Sequence, residues 1–401
     1  MALGGDRLPH GPRPCPERDL PGHCRCVGPP AIRPPRCRLQ PGKSLVKILF
    51  SGYAPVHFLC FRPLYARLVT MPGVSVDLSG GTRTKSPFAP GGYLFDHETM
   101  YGAFDLPDGA VRSVGSLAKE DYDVMFAANT RRIEPRRVQS RVQIFHGMSF
   151  RNRAIRPETD GADHYFLLGP YMKRGFEAAG ILSPDDPRGV EIGFPKTDRL
   201  LDGSLDRAHT LARHGVSGDR PVVLYAPTGE RHNSLETVGE NLIAKLAAVD
   251  RYDVLIKPHD HPHTLVDWWD RLRPLESEHV RLVREPDVIR TLSIADLLIT
   301  DASSVANEYA LLDRPIVFID VPELIELTRN KGARLDLETW GRKGGEVVAD
   351  VSEAIEAVEA GLDDPTRRSD VRRAMVADLF YHPGSATPAA FDWLSGEMAL
   401  R

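Results

Sequence analysis

The sequence predicts an α/β protein built from two doubly wound domains, each a parallel sheet with helices on both faces. Short, uninterrupted apolar runs, which are typical of buried parallel strands, alternate with helix-like segments. This alternation occurs between residues 45 and 180 and again after residue 220. The chain has 401 residues, and a single hydrophobic core rarely grows beyond about 250–300 residues. Two domains are therefore expected.

In the first series, apolar runs predict buried strands at 45–51, 123–128, 141–145 and 165–168. One helix is predicted at 58–71, where Pro72 and Gly73 end the pattern. A second helix is predicted at 170–180, with a proline near its start and a glycine at its end.

In the second series, strands are predicted at 221–226, 252–256, 279–283, 296–300 and 315–319. Helices are predicted at 234–249, 304–312 and 352–361. Asn233 is a suitable N-cap for the first of these helices, and Glu236 stands at the spacing of a capping box.

Residues 1–44 differ in composition from the rest of the chain. They hold 10 of the 33 prolines and four of the five cysteines, and they carry a charge of about +5. No hydrophobic period is present, so this Pro/Arg-rich segment is predicted to be a disordered leader. A zinc site is not favoured, because the cysteine spacing fits no CxxC-type pair; the residues concerned are Cys15, Cys24, Cys26 and Cys37. The folded part is divided into an N-terminal domain, 45–205, and a C-terminal domain, 206–401.

Composition excludes several classes of protein. The formal net charge is −4, so the chain lacks the global basic field of a general nucleic-acid coat. No apolar run approaches the roughly 18–20 residues that span a bilayer. Outside the leader only Cys60 remains, which indicates a reducing compartment without structural disulfides.

Polar residues in the loops after predicted strands are the candidate site, because ligands of doubly wound sheets bind beyond the carboxyl ends of the strands. His146 and Gly147 follow the strand at 141–145, and Thr228 follows the strand at 221–226. An imidazole suits proton transfer near neutral pH, and glycine lets a ligand approach the backbone. A histidine that merely bonds its own loop, and an ordinary strand-to-helix turn, are the structural alternatives.

Two further loops contain candidates for phosphate binding. Lys257 and His259 stand in KPHDHPH, where two prolines and alternate spacing make a zinc site less favoured than a phosphate site. Ser303 and Ser304 precede a predicted helix, whose amides and dipole suit a phosphate; either serine is also a good N-cap. Asp121 and Asp123 match a DxD pattern, but they stand at the start of a strand and are interpreted as structural.

Six segments carry a resemblance to a known family. In order they are IFHGMSFRN, DHYFLLGPYMKRGF, GFPKTDRL, VLYAPTGER, VLIKPH and IADLLITDASSVANEYALLDRPIVFI. The series is similar to the CDP-glycerol glycerophosphotransferases, the teichoic acid polymerase and primase family. The resemblance implies a GT-B architecture, in which two Rossmann-like domains face each other across a cleft. The chain departs from the family pattern at Gly229, Ala302 and Asn307.

The resemblance also implies a reaction, the transfer of glycerol phosphate from CDP-glycerol to a polymer hydroxyl with release of CMP. It places the two catalytic histidines at His146 and His259. Donor nucleotide and phosphate contacts are then expected from Thr228, Lys257, Asp301, Ser303, Ser304 and Glu308, and acceptor contacts from Gly147 and Arg151.

No metal and no cofactor are expected, because cationic side chains and a helix dipole can neutralise the phosphates. CDP-glycerol is the donor substrate, the acceptor is a cell-surface polymer or its lipid-linked primer, and no nucleic acid is expected as a partner. The expected location is the cytoplasm, and the family leaves open a peripheral contact with the inner face of the cytoplasmic membrane. The alternative function is a glycosyltransferase or a UDP-N-acetylglucosamine 2-epimerase-like enzyme of the same fold. The oligomeric state stays open.

Overall fold

The computed structural model of the protein describes residues 45–88, 93–128, 133–148, 154–155, 161–259, 266–330 and 335–398. The leader, 1–44, lies outside the described residues. Within the described ranges, no helix is long and apolar enough to cross a membrane.

The strands are β1 Val46–Gly52, β2 Val74–Gly80, β3 Thr82–Lys85, β4 Tyr93–Asp96, β5 Val111–Arg112, β6 Asp121–Ala127, β7 Arg137–Gln143, β8 His164–Leu167, β9 Gly189–Glu191, β10 Val222–Tyr225, β11 Asp253–Ile256, β12 Val280–Leu282, β13 Leu297–Thr300, β14 Ile316–Ile319 and β15 Glu346–Val348. The α-helices are α1 Pro55–Leu68, α2 His97–Tyr101, α3 Val114–Leu117, α4 Pro170–Ala178, α5 Arg207–Arg213, α6 Glu240–Val249, α7 Trp268–Leu272, α8 Val288–Ile294, α9 Val305–Ala310, α10 Pro322–Asn330, α11 Val351–Asp363, α12 Ser369–Leu379 and α13 Ala386–Met398. The described residues also form two 3-10 turns, Pro195–Leu200 and Arg273–Leu275, and one π-helical turn, Leu235–Gly239.

Two parallel sheets form the body of the molecule. The first has the order β5-β2-β1-β6-β7-β8-β9 and the second β12-β11-β10-β13-β14-β15. In each sheet the order runs outward from the first strand and then reverses, which is the doubly wound topology. The predicted fold class is confirmed. The reversal lies between β1 and β6 in the first sheet and between β10 and β13 in the second, and a ligand crevice is expected at these points.

Aromatic stacking anchors the core of the first sheet. The ring of Phe50 stacks on Phe61 and on Phe126, with centroids 4.7 Å apart in both pairs. Offset stacks of this kind add about 0.5–1.5 kcal/mol beyond area burial. Since β1 and β6 are thereby held together, the loops that leave their carboxyl ends start from a rigid base.

The C-terminal helix α13 packs in the core of the first sheet, where Ala390, Leu394 and Met398 are fully buried. Asp198 accepts hydrogen bonds from the backbone N–H groups of Ala386 and Thr387, and this fixes the start of α13. The predicted C-terminal domain, 206–401, therefore sends its last helix back to the sheet of the predicted N-terminal domain, 45–205. The boundary itself stays a prediction.

Some predicted elements differ in extent from the observed ones. The predicted helix 58–71 is α1, which begins three residues earlier at Pro55, and proline is favoured in a first helical turn. At the predicted capping box, the Glu236 N–H donates to Asn233 Oδ1, as expected. The Glu236 carboxylate, however, accepts from the His232 N–H instead of the Asn233 N–H.

Candidate active site

All the predicted site residues that the structure describes lie at or beyond the carboxyl ends of parallel strands. His146 and Gly147 follow β7, Thr228 follows β10, and Lys257 and His259 follow β11. Asp301, Ser303 and Ser304 follow β13, and Glu308 lies on the helix after it. Arg151, the predicted acceptor-side residue, lies outside the described residues. The fold therefore gathers the described candidates at the edges where a crevice is expected.

His146 is exposed and lies against a second histidine that the sequence analysis missed. The rings of His57 and His146 have centroids 4.9 Å apart. His57 is only 1% exposed, and its Nδ1 accepts a hydrogen bond from the Tyr53 N–H at 3.0 Å. Because Nδ1 accepts, the neutral His57 ring carries its proton on Nε2. A histidine within the apolar run of α1 was the signal that could have identified it.

The His57 ring is held between the end of β1 and the His146 loop. A side chain at Gly52 would come within 2.6 Å of the His57 Cβ, so only glycine fits beneath the ring. Burial, then the charges of His146 and Arg83, lower the pKa of His57 well below its ordinary value. His57 is therefore a neutral support for His146.

We expect the buried His57 to make the fold less stable in acid. Its pKa in the unfolded chain is about 6.5 and is lower in the folded protein. Below pH 6.5 the unfolded chain gains a proton that folded His57 does not. The free energy of unfolding then falls by about 1.4 kcal/mol per pH unit for this group. Above pH 6.5 this loss is absent.

Urea unfolding of the wild type and of His57→Gln at pH 7.5, 6.5 and 5.5 measures this dependence. Glutamine can accept the Tyr53 N–H but does not titrate, so the variant should lose less stability on acidification. His97→Gln, which removes an exposed imidazole of α2, is the control and should keep the wild-type slope. Equal slopes in the His57 variant and the wild type would contradict the assignment.

Gly147 brings the β7 loop into contact with the loop after β13. Its φ of +142° lies in a region that side chains rarely adopt, and an added Cβ would meet Ser304 Oγ at 3.0 Å. Next to it, the Asn307 side chain donates a hydrogen bond to the Met148 carbonyl at 2.6 Å. Asn307, a departure from the family pattern, therefore joins α9 to the loop after β7.

The structure shows Asp301 in contact with other parts of the protein, and its predicted donor contact stays a prediction. Its carboxylate is fully buried, and both oxygens accept hydrogen bonds from the protein. The Thr228 and Ala302 N–H groups donate to Oδ1, and the N–H and hydroxyl of Ser234 donate to Oδ2. Asp301 therefore fixes the loops after β10 and β13 relative to each other.

The phosphate candidates differ in exposure. Lys257 and Thr228 are largely buried, whereas His259 is exposed two residues beyond Lys257. Ser303 and Ser304 are half-buried at the start of α9, which is only six residues long. A helix of this length attracts an anion mainly through its first backbone N–H groups, because its macrodipole is small.

Glu308, which is predicted to contact the donor, forms a buried ion pair with Lys196. Lys196 Nζ lies 3.0 and 2.9 Å from the two Glu308 oxygens, and each side chain is 4% exposed. Burial opposes the charge of Lys196, but the Glu308 carboxylate outweighs it, so the pKa of the ammonium is raised. The pair joins the 3-10 turn Pro195–Leu200 to α9, which gives Glu308 a structural role. Its predicted donor contact stays a prediction.

The GFPKTDRL segment connects several elements at once. Lys196 binds α9, Asp198 fixes the start of α13, and Arg199 donates to Asp287, the N-cap of α8, at 2.7 Å. From the sequence, this segment was a mark of resemblance, and no role was predicted for Lys196. The sequence signal was a lysine directly after two apolar residues, Phe194 and Pro195.

The DxD pattern lies away from the site, as predicted. Asp121 begins β6 and pairs with Arg136 at 2.7 Å. Asp123 is fully buried and accepts hydrogen bonds from the Lys47 N–H and the Gln139 amide. In the part of the chain that the structure describes, no cluster of three His, Cys, Asp or Glu residues could hold a metal ion.

Comparisons with known proteins point to one family. The family model of CDP-Glycerol:Poly(glycerophosphate) glycerophosphotransferases matches residues 123–386. The chain is 29% identical over 178 residues to the teichoic acid poly(glycerol phosphate) polymerase of Staphylococcus epidermidis, covering 41% of this chain and 24% of that protein. It is 26% identical over 174 residues to the teichoic acid glycerol-phosphate transferase of Staphylococcus aureus, covering 41% and 43%. The chain thus spans less than half the length of these relatives.

Solved structures show the same fold. The wall teichoic acid polymerase TagF aligns with a TM-score of 0.60 at 15% identity over 88% of each chain. A putative UDP-N-acetylglucosamine 2-epimerase from Listeria monocytogenes aligns with a TM-score of 0.56 at 13% identity, covering 89% and 98%. These structural alignments show a two-domain GT-B-like architecture. Because the family model covers well over half of the sequence and includes every site residue predicted from the sequence, the chain belongs to the CDP-glycerol:poly(glycerophosphate) glycerophosphotransferase family.

Proposed function

We propose that this protein transfers glycerol phosphate from CDP-glycerol to a hydroxyl group of a wall polymer and releases CMP. The observation that carries the proposal is the family match over residues 123–386, which contains the loops with His146, Lys257, His259 and the Ser303–Ser304 pair. Curated relatives are named as polymerases, primases and transferases of teichoic acid glycerol phosphate.

His146 is the proposed general base. The acceptor oxygen attacks the phosphorus that bears glycerol, while the bond from that phosphorus to the bridging oxygen breaks. CMP leaves with the bonding electron pair, and the hydroxyl proton passes to His146. The exposed position of His146 at a strand end, with His57 behind it, supports this role, since imidazole accepts a proton near neutral pH.

The second sheet supplies the proposed donor contacts. Lys257 and His259 would neutralise the charge that builds on the departing CMP phosphate. Ser303, Ser304 and Thr228 would donate hydrogen bonds to the pyrophosphate. Asp301 supports this arrangement from behind, because its carboxylate holds the Thr228 backbone. The protein's own side chains carry these roles, and we propose no cofactor.

The acceptor is proposed to be a growing polymer or its lipid-linked primer. Action at the inner face of the cytoplasmic membrane would follow from a lipid-linked acceptor. Gly147 lies on the first sheet beside His146 and is the proposed place where the acceptor approaches the backbone.

Thermal unfolding with a panel of nucleotides tests the donor. We expect stabilisation by CMP, CDP and CDP-glycerol, with the largest shift for CDP-glycerol. At about 100 times its dissociation constant, a ligand adds about 2.7 kcal/mol to the free energy of unfolding. UDP, UDP-N-acetylglucosamine and GDP serve as controls and should leave the melting temperature unchanged.

A shift with uridine nucleotides alone would overturn the proposed donor and favour the sugar-nucleotide alternative. The 2-epimerase neighbour shows the fold alone, at 13% identity, so it does not by itself favour that alternative.

A further inference from the structure

The short hairpin of β3 and β4 stands beside the His57–His146 pair. It begins directly after β2, at the carboxyl edge of the first sheet, and its base is fixed to β1 because the Gly81 N–H donates to the Gly52 carbonyl at 3.1 Å. Arg83 pairs with Phe95 across this hairpin, and Lys85 pairs with Tyr93. Residues two apart on a strand share a face, so Arg83, Lys85 and Tyr93 lie on the same side.

Arg83 is held by aromatic rings instead of by carboxylates. Its guanidinium carbon lies 3.7 Å from the centre of the Tyr53 ring and 5.5 Å from that of Tyr93. It is half-buried, and among the residues that the structure describes no carboxylate lies within ion-pair distance of it. Stacking leaves the five N–H donors in the plane of the guanidinium available to an anion.

A continuous series of contacts joins Arg83 to the proposed base. Tyr53, beneath Arg83, donates its N–H to His57, and the His57 ring lies against His146. The positive charge of Arg83 also helps to lower the pKa of His57, after burial and the charge of His146. Arg83 therefore lies within electrostatic reach of His57, the ring that packs against the proposed base.

We infer that Arg83 is an acceptor-side anion site, which binds the phosphodiester nearest to the attacking hydroxyl. This inference rests on the proposed function and adds to it a residue that distinguishes phosphorylated from neutral acceptors. Arg83 lies on the hairpin that follows β2, and its contacts through Tyr53 and His57 lead to His146, beyond the first sheet. The proposed donor contacts follow strands of the second sheet, so the anion at Arg83 is assigned to the acceptor. A planar guanidinium binds a phosphate through two parallel hydrogen bonds. The enzyme would thus prefer acceptors that already end in glycerol phosphate over neutral sugar acceptors.

Steady-state transfer from CDP-glycerol to two soluble acceptors tests the site. One acceptor is a glycoside that carries two glycerol phosphate units, and the other is the same glycoside without phosphate. Arg83→Gln should raise KM for the phosphorylated acceptor by about 10- to 100-fold, as expected for a hydrogen-bonded charge contact. KM for the neutral acceptor, and CMP release from CDP-glycerol without acceptor, should stay within about twofold.

Arg67→Gln is the matched control. The Arg67 guanidinium stacks on Phe391 at 3.5 Å, but Arg67 lies at the opposite end of α1 from His57. This control should behave as the wild type. Arg83→Lys keeps the charge but loses the planar pair of donors, and it should fall between the wild type and Arg83→Gln.

Direct binding separates this inference from the proposed function. Calorimetric titration with the phosphorylated glycoside needs no turnover, and it should show weaker binding for Arg83→Gln than for Arg67→Gln. A wild type that binds this acceptor through Arg83 but does not turn over CDP-glycerol would refute the proposed donor and leave the anion site standing. Equal effects of Arg83→Gln on both acceptors, or a rise in KM for CDP-glycerol, would overturn the anion site.

Discussion

Replacing His146 with alanine is expected to lower the rate of glycerol phosphate transfer by about 100- to 10,000-fold, the usual contribution of a general base. The hydroxyl of the acceptor is a poor nucleophile until its proton is accepted during the attack. His146 is exposed beside the contact of Gly147 with Ser304, where the loops of the two sheets meet. The proposed role of the imidazole is to accept the proton in the transition state. Its loss should therefore lower kcat and leave the affinity for CDP-glycerol unchanged.

Release of CMP in single-turnover experiments measures this effect. His97→Ala, which removes an exposed histidine from α2, should keep full activity. His259→Ala is the companion variant in the loop after β11. It should lower the rate at which CMP is released. Full activity in His146→Ala, with the fold intact by circular dichroism, would show that another group accepts the proton.

Replacing Lys196 with methionine is expected to lower the free energy of unfolding by about 3–5 kcal/mol, because the variant buries the Glu308 carboxylate without a partner. Both side chains of the pair are 4% exposed. The buried Cys60 lies close enough for Lys196 to act on its thiol, although burial dominates and raises the pKa of Cys60 to about 12. An unpaired Glu308 carboxylate would therefore stay shielded from solvent.

Urea unfolding at pH 7.5 measures the loss of stability. Lys173→Met is the matched control, since the Lys173–Glu191 pair has a similar distance of 2.9 Å but side chains that are 32% and 46% exposed. Exposed pairs contribute about 0–1 kcal/mol. The double variant Lys196→Met/Glu308→Leu should recover much of the stability, because no unpaired charge remains. A Lys196→Met loss no larger than that of Lys173→Met would contradict a buried, structural ion pair.

The buried strands could be predicted well because their signal is local. An apolar run such as 45–51 leaves a strand few alternatives when both faces of its sheet are covered, and the structure places β1 at Val46–Gly52. The strands of the hairpin, β3 and β4, were missed because TRTK is polar and the apolar part of YLFD is only three residues long. The return of α13 to the first sheet was also beyond the sequence pattern, because an apolar helix face does not say which surface it covers.

The candidate site shows the same division. Residues that follow strands, such as His146 and His259, could be found because position in a parallel sheet determines the end at which a loop emerges. Asp301 and Glu308 follow the same strand, β13, yet the Asp301 carboxylate accepts hydrogen bonds from backbone and serine donors and Glu308 is paired with Lys196. Residue type and position alone could not separate a side chain that faces a ligand from one that supports the loop.

The sequence by itself determined the doubly wound class, the succession of buried strands and the loops that carry polar residues, since these depend on local hydrophobic pattern and chain direction. Only the tertiary structure decided the partners of those residues. His57 beneath His146, Lys196 against Glu308 and Arg83 over Tyr53 join positions that are 89, 112 and 30 residues apart. Such contacts depend on the packing of whole sheets and helices, because burial and charge pairing act between surfaces that meet only after folding.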